Sequence, residues 1–248
     1  MWRIWLVVLL TGCTGIREET DAHEWKSPGG TTVKYRLSKP KNPQPGKTYP
    51  LVLFLHGAAE RGSDNSAQLR HSVLPILRGA EKLGQPCFLI APQCPDDRFW
   101  SQISPDFKSL AAADEPNDLL DPIVALVDHI MATYPVDPAR FYVTGLSMGG
   151  FATWDLLGRM PDKIAAAVPI CGGGDSSLAA RFKHVPIHAF HGEDDDEVPV
   201  AATREMIAAL EKAGGKPKMT IYPGVDHFSW EQTYDNPELI RWIFAQRK

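Results

Sequence analysis

Several short runs in this chain are apolar at nearly every position, and they restrict the fold more than any other feature. Leu51 to Leu55, Cys87 to Ala91, Phe141 to Thr144, Ala165 to Ile170 and Pro186 to Phe190 lack the alternation of a half-exposed strand, so they read as strands buried on both faces. Thr32 to Leu37 and Met219 to Tyr222 read as further strands. Helical patterns lie between them. Ile123, Leu126, Val127, Ile130 and Met131 recur at i, i+3, i+4, i+7 and i+8, and Thr203 to Lys212 repeats the pattern more weakly around Met206, Ile207 and Leu210. Strands that alternate with helices need crossover connections. They predict an α/β chain with a mostly parallel, doubly wound sheet, with ligands at the carboxyl ends of its strands.

One strand runs into a motif that carries chemistry. Phe141-Tyr-Val-Thr-Gly145-Leu-Ser147-Met-Gly149-Gly150 is an apolar strand entering GxSxG, followed by a helical pattern through Trp154, Leu156 and Leu157. Such a turn lifts a serine above the sheet edge in a strained conformation, and Gly145 and Gly149 leave room where side chains would collide. A serine hydroxyl is a weak nucleophile near neutral pH and needs a histidine base, which in turn needs a carboxylate to orient it. Two segments at carboxyl ends supply both, in the order serine, acid, histidine. The first, His191-Gly-Glu-Asp-Asp195-Asp-Glu-Val-Pro199, leaves the acid open among Glu193, Asp194, Asp195 and Asp196. The second, Gly224-Val-Asp-His227-Phe-Ser-Trp230, offers His227 as the base. Negative charge developing on an attacked carbonyl needs backbone N–H groups. Met148, directly after Ser147, would supply one, and Ala58, with Ala59 as the next candidate, in the turn His56-Gly57-Ala58-Ala59-Glu60-Arg61-Gly62 the other.

Composition removes other classes. The 26 Lys and Arg against 30 Asp and Glu give a net charge of −4 without a basic block, so nucleic acid is not an expected partner. Four cysteines without CxxC spacing support neither a disulfide scaffold nor a structural zinc site. Cys87 and Cys94 flank a strand that holds them ~23 Å apart, too far for a bridge, whereas Cys94 with Cys171 is left open.

Residues 1 to 13, MWRIWLVVLLTGC, place Arg3 before an apolar run too short to span a bilayer and end in small residues before a cysteine. The segment resembles a bacterial lipoprotein signal, with Leu10-Thr11-Gly12-Cys13 as the lipobox. That resemblance implies removal of residues 1–12, lipidation of Cys13, export, and a membrane held through the lipid. Residues 13–27 then read as the lipidated cysteine and a polar tether, and residues 28–248 as one catalytic domain.

The segments LFLHGAAERGSDN, APQCP, GLSMGGFATWD, PICGGGD, HGEDDDEVPV and DHFSW together resemble the single-domain α/β-hydrolase esterases related to prolyl oligopeptidase and to feruloyl and acetylxylan esterases, which include dienelactone-hydrolase-like proteins. The resemblance covers nearly all of the chain after the signal. Its HGxxDxxVP pattern selects Asp195 as the acid, because Val198-Pro199 sets the register. It implies a serine esterase with an acyl-enzyme at Ser147, no metal or organic cofactor, and acetyl or feruloyl esters of polysaccharides as substrates. A peptidase, a general short-chain carboxylesterase or polyesterase, and a non-catalytic lipid-anchored carbohydrate-binding protein are the alternatives. The connection between Ile170 and Pro186 is too short for a helical lid, so an open pocket is expected, with Trp100 and Trp230 as candidate substrate contacts.

Overall fold

The structure, a computed structural model, describes residues 19–104, 106, 109 and 119–248. The apolar runs become one sheet of eight strands among the described residues: β1 (Asp21–Lys26), β2 (Thr32–Ser38), β3 (Tyr49–Leu55), β4 (Phe88–Pro92), β5 (Val136–Leu146), β6 (Ala166–Ile170), β7 (His188–Gly192) and β8 (Lys218–Tyr222). Their order is β1-β2-β4-β3-β5-β6-β7-β8. The pairs β1/β2 and β2/β4 are antiparallel, and every other pair is parallel. This is the α/β architecture that the alternation of strands and helices implies.

Successive side chains of a strand point to opposite faces, and here each face meets its own layer of helices. Leu51, Leu53 and Leu55 of β3 join the cluster formed with α2 (Leu120–Thr133), α3 (Met148–Arg159), α4 (Ala179–Phe182) and α5 (Ala201–Lys212). Val52 and Phe54 face the other layer, built from α1 (Val73–Lys82), α6 (Trp230–Tyr234) and α7 (Pro237–Ala245). Helix α2 buries Leu120, Pro122, Ile123, Leu126, Val127 and Ile130 as one stripe. Each such leucine or isoleucine contributes about 1.5–3 kcal/mol by leaving water, so Leu126→Ala would cost about 2–5 kcal/mol.

Two expectations change. The stretch read as tether contains β1, which pairs with β2 from Asp21↔Leu37 to Lys26↔Thr32. Its charges obscure a period of two: Asp21, Ala22, Glu24 and Lys26 are exposed, whereas His23 stacks on Tyr35 at 5.2 Å and Trp25 on His129 at 5.3 Å. The folded domain therefore begins before residue 28. Cys87, Cys94 and Cys171 are all free and buried, so the Cys94–Cys171 pairing left open by spacing does not form. The link after β6 carries a 3₁₀ turn, Ser176–Leu178, and one short α-helix, α4, whose Phe182 packs against Trp154 at 6.3 Å. Cys13 and the rest of the lipobox-like segment lie outside the described residues, as do residues 105, 107, 108 and 110–118 of the connection after β4. Among the described residues no helix is long and apolar enough to cross a membrane.

Candidate active site

Ser147 stands between the end of β5 and the start of α3 with φ 53° and ψ −119°, a conformation in which a side chain is strained. The surroundings enforce it. A Cβ on Gly149 would run into the Leu55 carbonyl, and one on Gly145 into the Gly149 carbonyl, so β3, β5 and α3 meet only because both residues are glycine. The Ser147 N–H donates to the Ile170 carbonyl at 3.0 Å and lies 3.2 Å from Cys171 Sγ, which ties the turn to the end of β6.

Three loops bring the partners. His227, in the turn after β8, places Nε2 2.8 Å from Ser147 Oγ and Nδ1 2.7 Å from Asp195 Oδ2. Asp195, in the turn after β7, accepts the N–H groups of Glu197 at 3.0 Å and Val198 at 2.8 Å on Oδ1. Of the four candidate acids, Glu193, Asp194 and Asp196 are exposed and Asp195 is buried. Burial pushes the Asp195 carboxyl up, but the bonds from His191, His227 and the Val198 N–H outweigh it and hold the group well below the usual carboxylate range. The carboxylate stays charged throughout the neutral range.

The loop after β3 is bolted from beneath. His56 Nε2 accepts the Cys94 N–H at 2.9 Å, so its proton sits on Nδ1 and is donated to the Gly57 carbonyl at 2.7 Å. Burial lowers this imidazole to about 4, in keeping with a neutral ring. Arg61 Nε donates to the Ala58 carbonyl at 2.9 Å, and its guanidinium lies 4.5 Å over the Phe99 ring. A Cβ on Gly57 would lie 3.7 Å from Ser147 Cβ, so the loop abuts the serine. Ala58 opens the single 3₁₀ turn that follows, Ala58–Glu60, and Met148 opens α3. Among the described residues no group accepts the N–H of either.

Neither tryptophan is a platform. Trp100 is fully buried, its indole N–H donates to the His56 carbonyl at 3.1 Å, and it belongs to the scaffold under the Ala58 loop. An indole satisfied by a backbone carbonyl and surrounded by core is packed, not offered to a ligand. Trp230 is buried too, with its ring edge-on to His227 at 5.4 Å. Two aromatics near the site do face solvent: Phe228, 53% exposed and 6.4 Å from the His227 ring, and Phe99, 43% exposed beneath the Arg61 guanidinium. Sequence reasoning missed Phe228, although its place directly after the histidine was a usable signal. It also missed Glu197, whose Oε2 lies 3.8 Å from His227 Nε2, and His191, which touches Asp195.

Cys171, Asp195 and His227 form the one grouping of potential metal donors among the described residues, with donor atoms within 4.8 Å of one another. They do not suit a resident ion. Both nitrogens of His227 and the facing carboxylate oxygen are already joined to each other and to Ser147, and burial holds the Cys171 thiol well above its ordinary value and so protonated.

A mostly parallel sheet whose fifth strand turns sharply into a helix at a serine, with an imidazole and a carboxylate brought by later loops, is the α/β-hydrolase architecture. The chain belongs to the dienelactone hydrolase family, whose model matches residues 102–237. A thermostable esterase of known structure is 40% identical and superposes with a TM-score of 0.85, covering 93% of this chain and 64% of that one. A bifunctional acetylxylan esterase/xylanase of Neocallimastix patriciarum is 34% identical over 71 residues, 29% of this chain and 11% of that protein. A ferulic acid esterase of Anaeromyces mucronatus, solved with ferulic acid, covers 92% of this chain and 90% of its own at a TM-score of 0.66 and 18% identity, a likeness of fold. This chain thus spans less than two thirds of the first two proteins.

Proposed function

We propose that the chain is a serine ester hydrolase in which Ser147 is the nucleophile, His227 the general base and acid, and Asp195 the orienting carboxylate. One observation carries the reading: the unbroken series Ser147 Oγ, His227 Nε2 and Nδ1, Asp195 Oδ2, with separations of 2.8 and 2.7 Å. As Ser147 Oγ attacks the ester carbonyl carbon, its proton passes to His227 Nε2. The carbonyl oxygen becomes an oxyanion, received by the N–H groups of Ala58 and Met148. The imidazolium gives its proton to the departing alkoxide, leaving an acyl group on Ser147. Water then attacks that acyl group, with His227 again taking the proton, and the acid is released.

The favoured substrates are acetyl or feruloyl esters of polysaccharides or oligosaccharides. Support comes from the acetylxylan esterase/xylanase and ferulic acid esterase likenesses and from Phe228, a flat apolar surface beside the base. Trp100, buried beneath the Ala58 loop, makes no contact with substrate in this mechanism. The lipobox-like run adds a proposal of export with a lipid on Cys13, which detergent partitioning of the native chain against Cys13→Ser would test.

A fluorophosphonate should label Ser147 alone, and the protein should hydrolyse acylated oligosaccharides and nitrophenyl acetate but not peptide amides. Phe228→Ala should raise KM for feruloylated or acetylated oligosaccharides about tenfold, or about 1.4 kcal/mol, with nitrophenyl acetate unchanged. Active protein that resists the probe overturns the serine mechanism. Preference for peptide amides overturns the ester reading, and equal losses on both ester substrates remove Phe228 from the substrate site.

A further inference from the structure

Asp195 is approached by four donors, of which only His227 takes part in the mechanism above. Oδ1 takes the Glu197 and Val198 N–H groups, and Oδ2 takes His227 Nδ1. The fourth is His191 in β7, which has no exposed surface and sets Nε2 3.1 Å from the same Oδ2. The two histidines therefore flank one carboxylate oxygen.

The proton on His191 can be assigned from its neighbours. Nε2 also lies 2.9 Å from the Val198 carbonyl, so both of its neighbours are acceptors and that nitrogen must carry hydrogen. Nδ1 lies 2.8 Å from Thr203 Oγ1 on α5, and that hydroxyl lies 2.9 Å from the Gly172 carbonyl. Thr203 has one hydrogen to give. Sent to Nδ1, it leaves His191 neutral; sent to Gly172, it requires Nδ1 to donate and His191 to be charged. In either arrangement the Nε2–H faces Asp195 and Val198.

We propose that His191 is a positioning residue for the hydrolytic centre, its Nε2–H holding Asp195 Oδ2 in place and sharing that oxygen with His227. The proposal rests on the reading of Ser147, His227 and Asp195 as the catalytic series. A carboxylate oxygen with two imidazole donors draws less strongly on each of them than it would on one. Removing His191 therefore concentrates that pull on His227 and favours its charged form, which is inactive as a base. The acid limb of kcat/KM then moves to higher pH. Asp195 also loses one of its anchors, and kcat falls. The other titratable groups near the pair are Cys171 at the end of β6, with Sγ within 4.8 Å of the Asp195 and His227 donor atoms, and the exposed Glu197 of the acid loop, 3.8 Å from His227 Nε2. Helix α5 presents the uncharged Thr203. None of these groups is altered in the variants below.

The test compares His191→Leu, which removes the donor, with His191→Gln, whose amide nitrogen reaches the place of Nε2. In His191→Leu the acid limb of kcat/KM on nitrophenyl acetate should rise by roughly half to one pH unit, with kcat down about tenfold. In His191→Gln the limb should return toward its original position. A limb that stays put in a folded His191→Leu overturns the proposal. If that variant does not fold, the unaltered protein decides: imidazole nitrogen–proton NMR correlations should place a proton on His191 Nε2, and an unprotonated Nε2 overturns it. Protein that takes no fluorophosphonate and cleaves no ester fails the hydrolase reading instead. Labelled, active protein whose acid limb ignores His191 fails only the present inference.

Discussion

At Ser147 the chain is held by backbone lying on backbone, whereas at Asp195 it is held by hydrogen bonds from groups scattered along the sequence. The turn at Ser147 depends on glycines: a side chain at position 149 meets the Leu55 carbonyl, and one at 145 meets the Gly149 carbonyl. The acid loop depends on donors. Asp195 receives Glu197, Val198, His227 and His191, and the loop is clipped to the histidine turn by Glu193 N–H to the Tyr222 carbonyl at 3.0 Å and Asp194 N–H to the Val225 carbonyl at 2.9 Å. Steric support tolerates no added atom but ignores pH. Hydrogen-bonded support tolerates small shifts in shape but fails when a donor or charge is lost.

The largest expected effects fall on the reacting groups of both regions. Ser147→Ala should lower kcat about a million-fold and Asp195→Asn about ten-thousand-fold, while Asp194→Asn and Asp196→Asn change it by no more than about twofold. Steady-state hydrolysis of nitrophenyl acetate measures all four. Near-full activity in Asp195→Asn beside loss in Asp194→Asn or Asp196→Asn would assign the acid elsewhere.

Two glycine variants set the regions directly against each other. Gly149→Ala should cost about 3 kcal/mol by overpacking and lower Tm by roughly 6–12 °C. Gly192 is the point where the acid loop also relies on close approach, since a Cβ there would meet the Asp226 and Val225 carbonyls. These carbonyls belong to a loop and not to a central strand, so Gly192→Ala should displace His227 from Asp195 at a smaller cost in Tm. A misplacement of this kind lowers kcat about a hundredfold. Calorimetry with kinetics on the two variants separates the cases; equal losses of Tm with activity spared in Gly192→Ala would erase the distinction.

The smallest effect is a pH slope, and it concerns the support beneath the Ala58 loop. Burial first, with the Gly57 carbonyl opposing and Arg61 adding to it, holds His56 at about 4 against an ordinary 6.5. Between those values the unfolded chain binds the proton that the folded chain refuses, so stability falls as pH is lowered from 6.5 to about 4. The His56 share is on the order of 3 kcal/mol. His188, lowered to about 4 by burial and by Lys218, steepens the same slope. Asp195 acts outside this window: its carboxyl is depressed below the ordinary 3.8, so its contribution is complete above that value and lost only beneath it. Urea denaturation at several pH values should show a shallower slope in His56→Gln, and an unchanged slope would mean that His56 is not the buried neutral group.

Particular residues show where reading the sequence ends. Continuous apolar runs announce β3 to β6 because a strand covered on both faces has no polar side to show. The glycines around Ser147 announce a tight turn for an equally local reason. The strand β1 was concealed by Asp21, Glu24 and Lys26, since its inward pair His23 and Trp25 gains its meaning only from Tyr35 and His129. Trp100 looked like a rim residue in a polar connection and lies in the core.

The sequence by itself determined the alternation of strands and helices, the strained turn at Ser147 and the position of His227 after the last strand, because periodicity, glycine sterics and chain order are local properties. The acid was legible only through the Val198-Pro199 register of a related family, since four neighbouring carboxylates are chemically alike until one of them is buried. Tertiary structure alone decided that Asp195 is the buried one of the four, that Phe228 and not Trp100 faces solvent, that the cysteines stay apart, and that His191 shares Asp195 with His227. Burial and a shared hydrogen-bond partner are relations between residues brought together by the fold, and no stretch of chain contains them before it folds.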